Sequence, residues 1–243
     1  MNVTHVDSLG ELKPRNESCK RVLIVCSGSV GAVKVPEIIC SLNTFGFNVR
    51  YICSSLAASH FLQKSQYYNP SIYKKFIENK YNELIIEDKD EWTWDRIGDP
   101  VLHIVLRDWA DILIIIPASA DIIAKISTGI CDTLALSVCR AWNFDKPFII
   151  CPAMNTQMFN HPVTQQSLDI LQSWGCAMLE PVDKLLACGD RGKGALCTVD
   201  TIIKEVISVS NKLSSGNSNK VLIISHPILV FTQFTHAITV ERE

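Results

Sequence analysis

The feature that most restricts what this chain can fold into is a succession of short apolar runs, each closed by small residues and followed by helical spacing. The first run is Arg21-Val-Leu-Ile-Val-Cys26, closed by Ser27-Gly28-Ser29-Val30-Gly31. Apolar residues then recur at a helical period from Ala32 to about Leu42, and Asn43 to Gly46 stop the pattern. Phe47 to Cys53 reads as a second strand, Ser54-Ser55 as a cap, and Leu56 to Gln63 as a second helix. A strand without a polar face needs cover on both sides, and parallel strands need a helical crossover. The rhythm therefore predicts right-handed βαβ units in a parallel sheet.

Downstream, residues 64–99 are less regular, with Tyr, Asn, Pro and acidic residues and one candidate strand around Leu84-Ile85-Ile86. Asp99-Pro100 predicts a helix start, an N-cap acid followed by proline at the first helical position, with the helix running to about Trp109. Ile112 to Ile116 reads as an apolar strand broken by Pro117, and Ser119 as the cap of the next helix. Asp132 to Trp142 reads as another helix; Cys131 and Cys139 are expected in helical sequence. Pro147 to Cys151 is a strand, Pro162 to Trp174 a helix ended by Gly175, and Ala177-Met178-Leu179 a short strand. Asp183 to Ala195 is rich in glycine and charge and reads as a loop; Thr198 to about Leu213 is the closing helix.

The expected organisation is one α/β domain, residues 20–213, with a doubly wound, Rossmann/flavodoxin-like parallel sheet. Residues 1–19 read as a flexible leader, and residues 214–243 as a polar linker and a C-terminal extension of unassigned role. The apolar run in that extension is too short and too polar to span a membrane.

Bulk properties exclude several classes. A length of 243 residues with 47% apolar and 20% charged residues suits one sizeable core. A formal charge of -2 with scattered basic residues argues against nucleic acid and anionic membranes as partners. Ten cysteines contain no Cys-x-x-Cys pair, which argues against a thioredoxin-like motif or a zinc ribbon, and no metal is expected. The start, Met1 to Lys20, lacks the apolar stretch of a signal peptide, so reduced thiols in a cytoplasmic protein are expected.

Gly28-Ser29-Val30-Gly31 follows a strand and opens a helix, where unpaired amides and the helix dipole attract a phosphate. Ser54-Ser55 and Ser119-Ala120 repeat the arrangement after later strands. The spacing matches neither a Gly-x-Gly-x-x-Gly dinucleotide fingerprint nor a P-loop. Taken alone, the Gly28–Gly31 turn reads more readily as a tight structural turn than as a phosphate site, and the meeting of three such turns at one sheet edge favours the phosphate.

Three further segments go beyond fold level: Asp99-Pro-Val-Leu-His103-Ile, Pro152-Ala-Met-Asn155-Thr-Gln-Met158-Phe159, and Leu186-Ala-Cys188-Gly-Asp190-Arg-Gly192-Lys-Gly194. In this order, with Asp132, Arg140-Ala-Trp142 and Lys146-Pro147, they resemble the homo-oligomeric flavin-containing cysteine decarboxylases from about Lys20 to Leu213. The resemblance implies FMN as cofactor and 4'-phosphopantothenoylcysteine as a small-molecule substrate. It also implies oxidation of the cysteinyl thiol to a thioaldehyde before carbon dioxide leaves, and a homotrimer with sites between subunits.

By the same resemblance His103 is the base, Cys188 the proton donor, and Asn155, with Met158 and Ala187, binds substrate. FMN would lie against Gly28, Ser29 and Val30, against Ser54 and Ser55, along Ser119, Ala120, Asp121 and Ile122, and near Ala153. Read locally, His103 is an ordinary helix residue off the apolar stripe, Asn155 a helix cap, and Met154 and Met158 packing residues. Cys188 differs from the other cysteines in its polar, glycine-punctuated setting beside Asp190, Arg191 and Lys193.

The chain departs from the family pattern at several places. Asp121-Ile122 replaces Asn-Thr, Phe159 a tryptophan and Gly31 an alanine; Asp108 and Leu185 stand at usually basic positions. Rival readings of the same fold are a regulatory subunit that inhibits a phosphatase and a decarboxylase of peptidyl cysteine. A flavin prenyltransferase and a generic nucleotide-binding module fit the motifs less well.

Overall fold

The computed structural model describes residues 20–186 and 189–214. The leader, residues 187 and 188, and the chain from 215 onward lie outside the described residues. Six strands form one parallel sheet: β1 (Arg21–Cys26), β2 (Asn48–Cys53), β3 (Ile85–Ile86), β4 (Ile112–Ala118), β5 (Phe148–Pro152) and β6 (Ala177–Met178). Their order is β3-β2-β1-β4-β5-β6, so the winding reverses between β1 and β4. This is the Rossmann-like sheet that the strand rhythm predicts.

The alternation within each strand explains the two cores. In β1, Leu23 and Val25 point to one face, and Val22, Ile24 and Cys26 to the other; in β4, Leu113 and Ile115 oppose Ile112, Ile114 and Ile116. One face is covered by α1 (Val35–Thr44), α2 (Leu56–Gln63), α4 (Pro70–Glu78) and α10 (Val199–Ser214); α3 (Ser65–Tyr68) links α2 to α4. The other carries α5 (Leu102–Trp109), α6 (Ala120–Thr128), α7 (Leu134–Ala141), the single turn α8 (Thr156–Phe159) and α9 (Pro162–Ser173). In that layer α5 packs on α7, α7 on α6, and α6 on α9. All seven residues of β4 are buried. Among the described residues no helix is long and apolar enough to cross a membrane.

Five expectations need correction. Residues 64–99 contain α3 and α4 and two 3-10 stretches, Tyr81–Leu84 and Asp88–Thr93. Helix α4 starts at an Asn69 cap with Pro70 at its first position, and buries only Phe76, among the rings of Tyr51, Tyr73 and Tyr81. One buried aromatic is too thin a stripe to read as a period. Asp99 is not the cap of α5, which begins at Leu102 after Val101; its carboxylate instead accepts the N–H groups of Asp95 and Arg96. Pro117 does not end β4: the strand continues to Ala118 with a shift of register against β5, and the Ile116–Pro117 peptide is cis.

The fourth is the stretch from Asp183 to Ala195. It is an antiparallel hairpin, β7 (Val182–Leu185) and β8 (Arg191–Ala195). Apart from the half-buried Val182 and Gly192 and the buried Gly194 and Ala195, the residues of its two strands are exposed, so no apolar alternation marked it. Cys139 lies in α7 as expected, whereas Cys131 is exposed and precedes the Thr133 cap.

Candidate functional site

The candidate site lies along the carboxyl edge of the sheet, where β1 and β4 diverge. Ser27 is buried there and holds the two strands together: its hydroxyl donates to Pro117 O at 2.7 Å and accepts the Ser119 N–H at 2.8 Å. The turn after β1 then approaches the turn after β2 closely. A Cβ on Gly28 would stand 3.1 Å from Ala57 Cβ and 3.2 Å from Ser55 Oγ, and one on Gly31 would stand 3.2 Å from Pro117 Cβ. Small residues are what permit this convergence.

Three serines cap the elements that start here. Ser29 accepts the Gly31 N–H, Ser55 the Ala58 N–H, and Ser119 the Ile122 N–H. The starts of a 3-10 turn, α2 and α6 thus open on one edge, with Val30 exposed beside them and Ala153 tied in by its N–H to Ala118 O. Aligned helix starts and a glycine cradle suit an anionic phosphate on physical grounds. Asp121, the acid at this edge, lies 3.5 Å from Lys125, which also faces Asp132 at 3.5 Å. The lysine offsets part of the carboxylate charge.

At the end of β5 the Asn155 segment meets the hairpin. Asn155 Oδ1 accepts the Gln157 N–H at 2.8 Å, and Nδ2 donates to Asp190 at 2.7 Å. The capping role and a contact to the glycine-rich segment are therefore both present. Met154 N–H donates to Gly194 O, and the Lys193 ammonium sits 5.5 Å from the Phe159 ring centre and pairs with Glu180. A Cβ on Gly194 would fall 2.4 Å from Met154 O, and one on Gly192 would fall 2.7 Å from Thr156 Oγ1. That hydroxyl is buried, and among the described residues it has no hydrogen-bond partner. Met158 is 49% exposed. Ala187 and Cys188 lie outside the described residues; the flanking turn is closed by Leu186 N–H to Asp190 O and Gly189 N–H to Leu186 O.

His103 stands in the first turn of α5, with Nδ1 2.5 Å from Glu91 Oε1. Helices α7 and α6 separate α5 from α9, which adjoins the Asn155 turn. The fold thus gathers the predicted phosphate-end residues and brings Asn155 to the hairpin, while the helix of His103 packs mainly on α7. Asp108 pairs with Arg107, and Lys146 donates to Arg107 O and Ala110 O, closing the end of α5. Leu185 is 68% exposed.

Two thiol pairs lie under the site. Cys26 and Cys53 face each other in register at the ends of β1 and β2. The thiol contact with Cys53, together with burial, raises Cys26, while the same contact lowers Cys53. Burial raises Cys151, and its contact with Cys197 adds to that. Burial and the nearby Lys184 hold Lys34, behind the Gly28 turn, below its usual value. Among the described residues no cluster suits a metal.

The family model described as flavoprotein matches residues 11–211. The phosphopantothenoylcysteine decarboxylase of Oryza sativa subsp. japonica is 39% identical over 200 residues, covering 82% of this chain and 84% of that protein. A solved structure of a mutant PPC decarboxylase complexed with pantothenoylaminoethenethiol matches with a TM-score of 0.68 and 38% identity, over 79% of this chain and 98% of that one. The FMN binding protein AtHal3 matches with a TM-score of 0.65 and 38% identity, over 79% and 97%.

Proposed function

This chain belongs to the flavoprotein family, and from that premise we propose its activity: it is an FMN-dependent enzyme that decarboxylates 4'-phosphopantothenoyl-L-cysteine to 4'-phosphopantetheine, a step of coenzyme A biosynthesis. The observation that carries the reading is likeness to decarboxylases of that substrate over about four fifths of the chain.

The residues at the edge fit the cofactor. Gly28, Ser29 and Val30, Ser54 and Ser55, and Ser119 to Ile122 would hold FMN, with Ala153 beside them. The close packing of Gly28 on Ala57 and Ser55, and the three capped element starts, support this assignment. The chemistry FMN supplies when bound is a reversible two-electron sink for the thiol-bearing carbon of the substrate.

The chain's own groups position the substrate and move protons. His103 would take the thiol proton at its free ring nitrogen. Asn155, assisted by Met158 and Ala187, would orient the carboxylate by neutral hydrogen bonds, which do not over-stabilise an anion that must be lost. Cys188 would return a proton to carbon. Asp190 holds the Asn155 amide, so an entering carboxylate would take over a contact that a carboxylate already makes.

Helices α7 and α6 lie in the packing order between the helix of His103 and α9 beside the Asn155 turn, which supports a site shared by neighbouring copies, and we assign the protein to a homotrimer in the cytoplasm. Purified protein with a yellow flavin spectrum, a mass near three times the 27.1 kDa chain, and carbon dioxide release from phosphopantothenoylcysteine is the expected result. His103→Asn and Cys188→Ser should each keep FMN and lose about 10²-fold or more in turnover. A colourless trimer without carbon dioxide release overturns the reading.

A further inference from the structure

The irregular segment before α5 contributes a side chain outside the segments that carry the resemblance. Glu91 grips one residue at two atoms: its Oε2 accepts the backbone N–H of His103 at 3.1 Å, and its Oε1 lies 2.5 Å from His103 Nδ1. Both side chains are sheltered, 17% exposed for Glu91 and 27% for His103. The segment that carries Glu91 is itself anchored. A reciprocal cap between Glu87 and Asp90 closes its start, and Asp88 accepts the Leu134 N–H at 3.0 Å. The carboxylate therefore reaches α5 from a base fastened to α7.

A carboxylate only accepts hydrogen bonds, so the contact assigns the imidazole proton to Nδ1 and leaves the lone pair on Nε2. Contact at both the ring and the backbone of one residue also fixes the direction in which that lone pair points. We propose that Glu91 is the positioning residue of His103: it holds the Nδ1–H tautomer and stabilises the imidazolium that forms when Nε2 takes a proton. The inference rests on the reading of His103 as the base. In that step the substrate S–H bond breaks, its electron pair stays on sulfur, and the proton bonds to Nε2.

The competing role for Glu91 is helix capping alone, since His103 N–H is one of the orphan donors at the start of α5. Glu91→Gln separates the two. Its amide oxygen can keep the backbone N–H, while its NH2 group turns toward Nδ1 and donates. The ring proton then moves to Nε2, and the lone pair needed for catalysis is filled.

The experiment uses the FMN-loaded full chain with 15N-labelled histidine, and assigns the His103 ring signals by their loss in His103→Asn. The unsubstituted protein should show a protonated Nδ1 and a bare Nε2. Glu91→Gln should reverse the two, keep the flavin spectrum and helical content, and lower kcat by about 10²–10⁴-fold, with KM changed by less than about threefold. Wild-type kcat with an unchanged tautomer in Glu91→Gln overturns the inference; an inactive His103→Asn in the same set leaves the base reading standing. A fully active His103→Asn overturns both. If Glu91→Gln does not fold, Glu91→Ala is read by the same ring signals, where a persistent Nδ1–H form counts against the role and a mixture of tautomers supports it.

Discussion

Single side chains here are governed by what surrounds them more than by their type. Cysteine shows this most directly. Burial pushes the Cys176 thiol up to about 12, and burial with the neighbouring Cys176 raises Cys139 further. Only a thiolate attacks an alkylating agent, and its fraction falls tenfold for each pH unit below the pKa. At pH 8 about one Cys176 in 10⁴ is ionised, and the side chain is also inaccessible. Native protein treated with iodoacetamide at pH 8 should therefore carry no label on Cys139 or Cys176 by peptide mass mapping, and full label after unfolding. Raising the pH to 9 should not change this, because both values lie well above it. Glu91 illustrates the converse. It is one acid among many in a segment without a period, and nothing along the chain marks it, because its partner is 12 residues away across a turn.

At the scale of elements, the hairpin β7–β8 is the piece most exposed to a single change. Gly194 has φ of 154°, where a side chain is strained, and a Cβ there would collide with Met154 O at 2.4 Å. Gly194→Ala should push the hairpin off the Asn155 segment and break the Met154 N–H to Gly194 O bond. The combined loss of that bond and local strain is about 2 kcal/mol, and it falls on the hairpin rather than the sheet. Hydrogen exchange should show a faster Met154 amide and a more open 182–195 region, while the amides of β1 and β4 stay protected. Unchanged exchange at Met154 would remove the hairpin's docking role. The helices divide in the same way. Those with a broad apolar stripe, such as α6 and α10, were readable in the sequence, whereas α4 rests on Phe76 alone. The start of α5 was misplaced because Asp99 serves the preceding turn, and a carboxylate from another segment accepts the His103 amide instead.

The whole molecule depends on how its halves are joined at the point where the sheet reverses. Ser27 joins them: one hydroxyl satisfies Pro117 O and Ser119 N, both some 90 residues away. Ser27→Ala leaves both groups without that partner in a buried place, at a cost of about 1–3 kcal/mol. For a chain of this size that is a fall of roughly 3–10 °C in the unfolding midpoint. The start of α6 should shift with it, so FMN retention during dialysis should weaken as well. A midpoint and flavin content equal to those of the unsubstituted protein would show that the joint is held elsewhere.

The sequence alone determined the parallel sheet, the capped turns at its edge and the landmark residues, since each is written in contiguous residues whose spacing or chemistry is local. Strand order, the union of β1 with β4 through Ser27, the hairpin and the grip of Glu91 on His103 were decided only by tertiary structure. The physical reason is that a hydrogen bond is set by distance in space. Residues 12 or 90 positions apart leave no periodic trace of the contact they make.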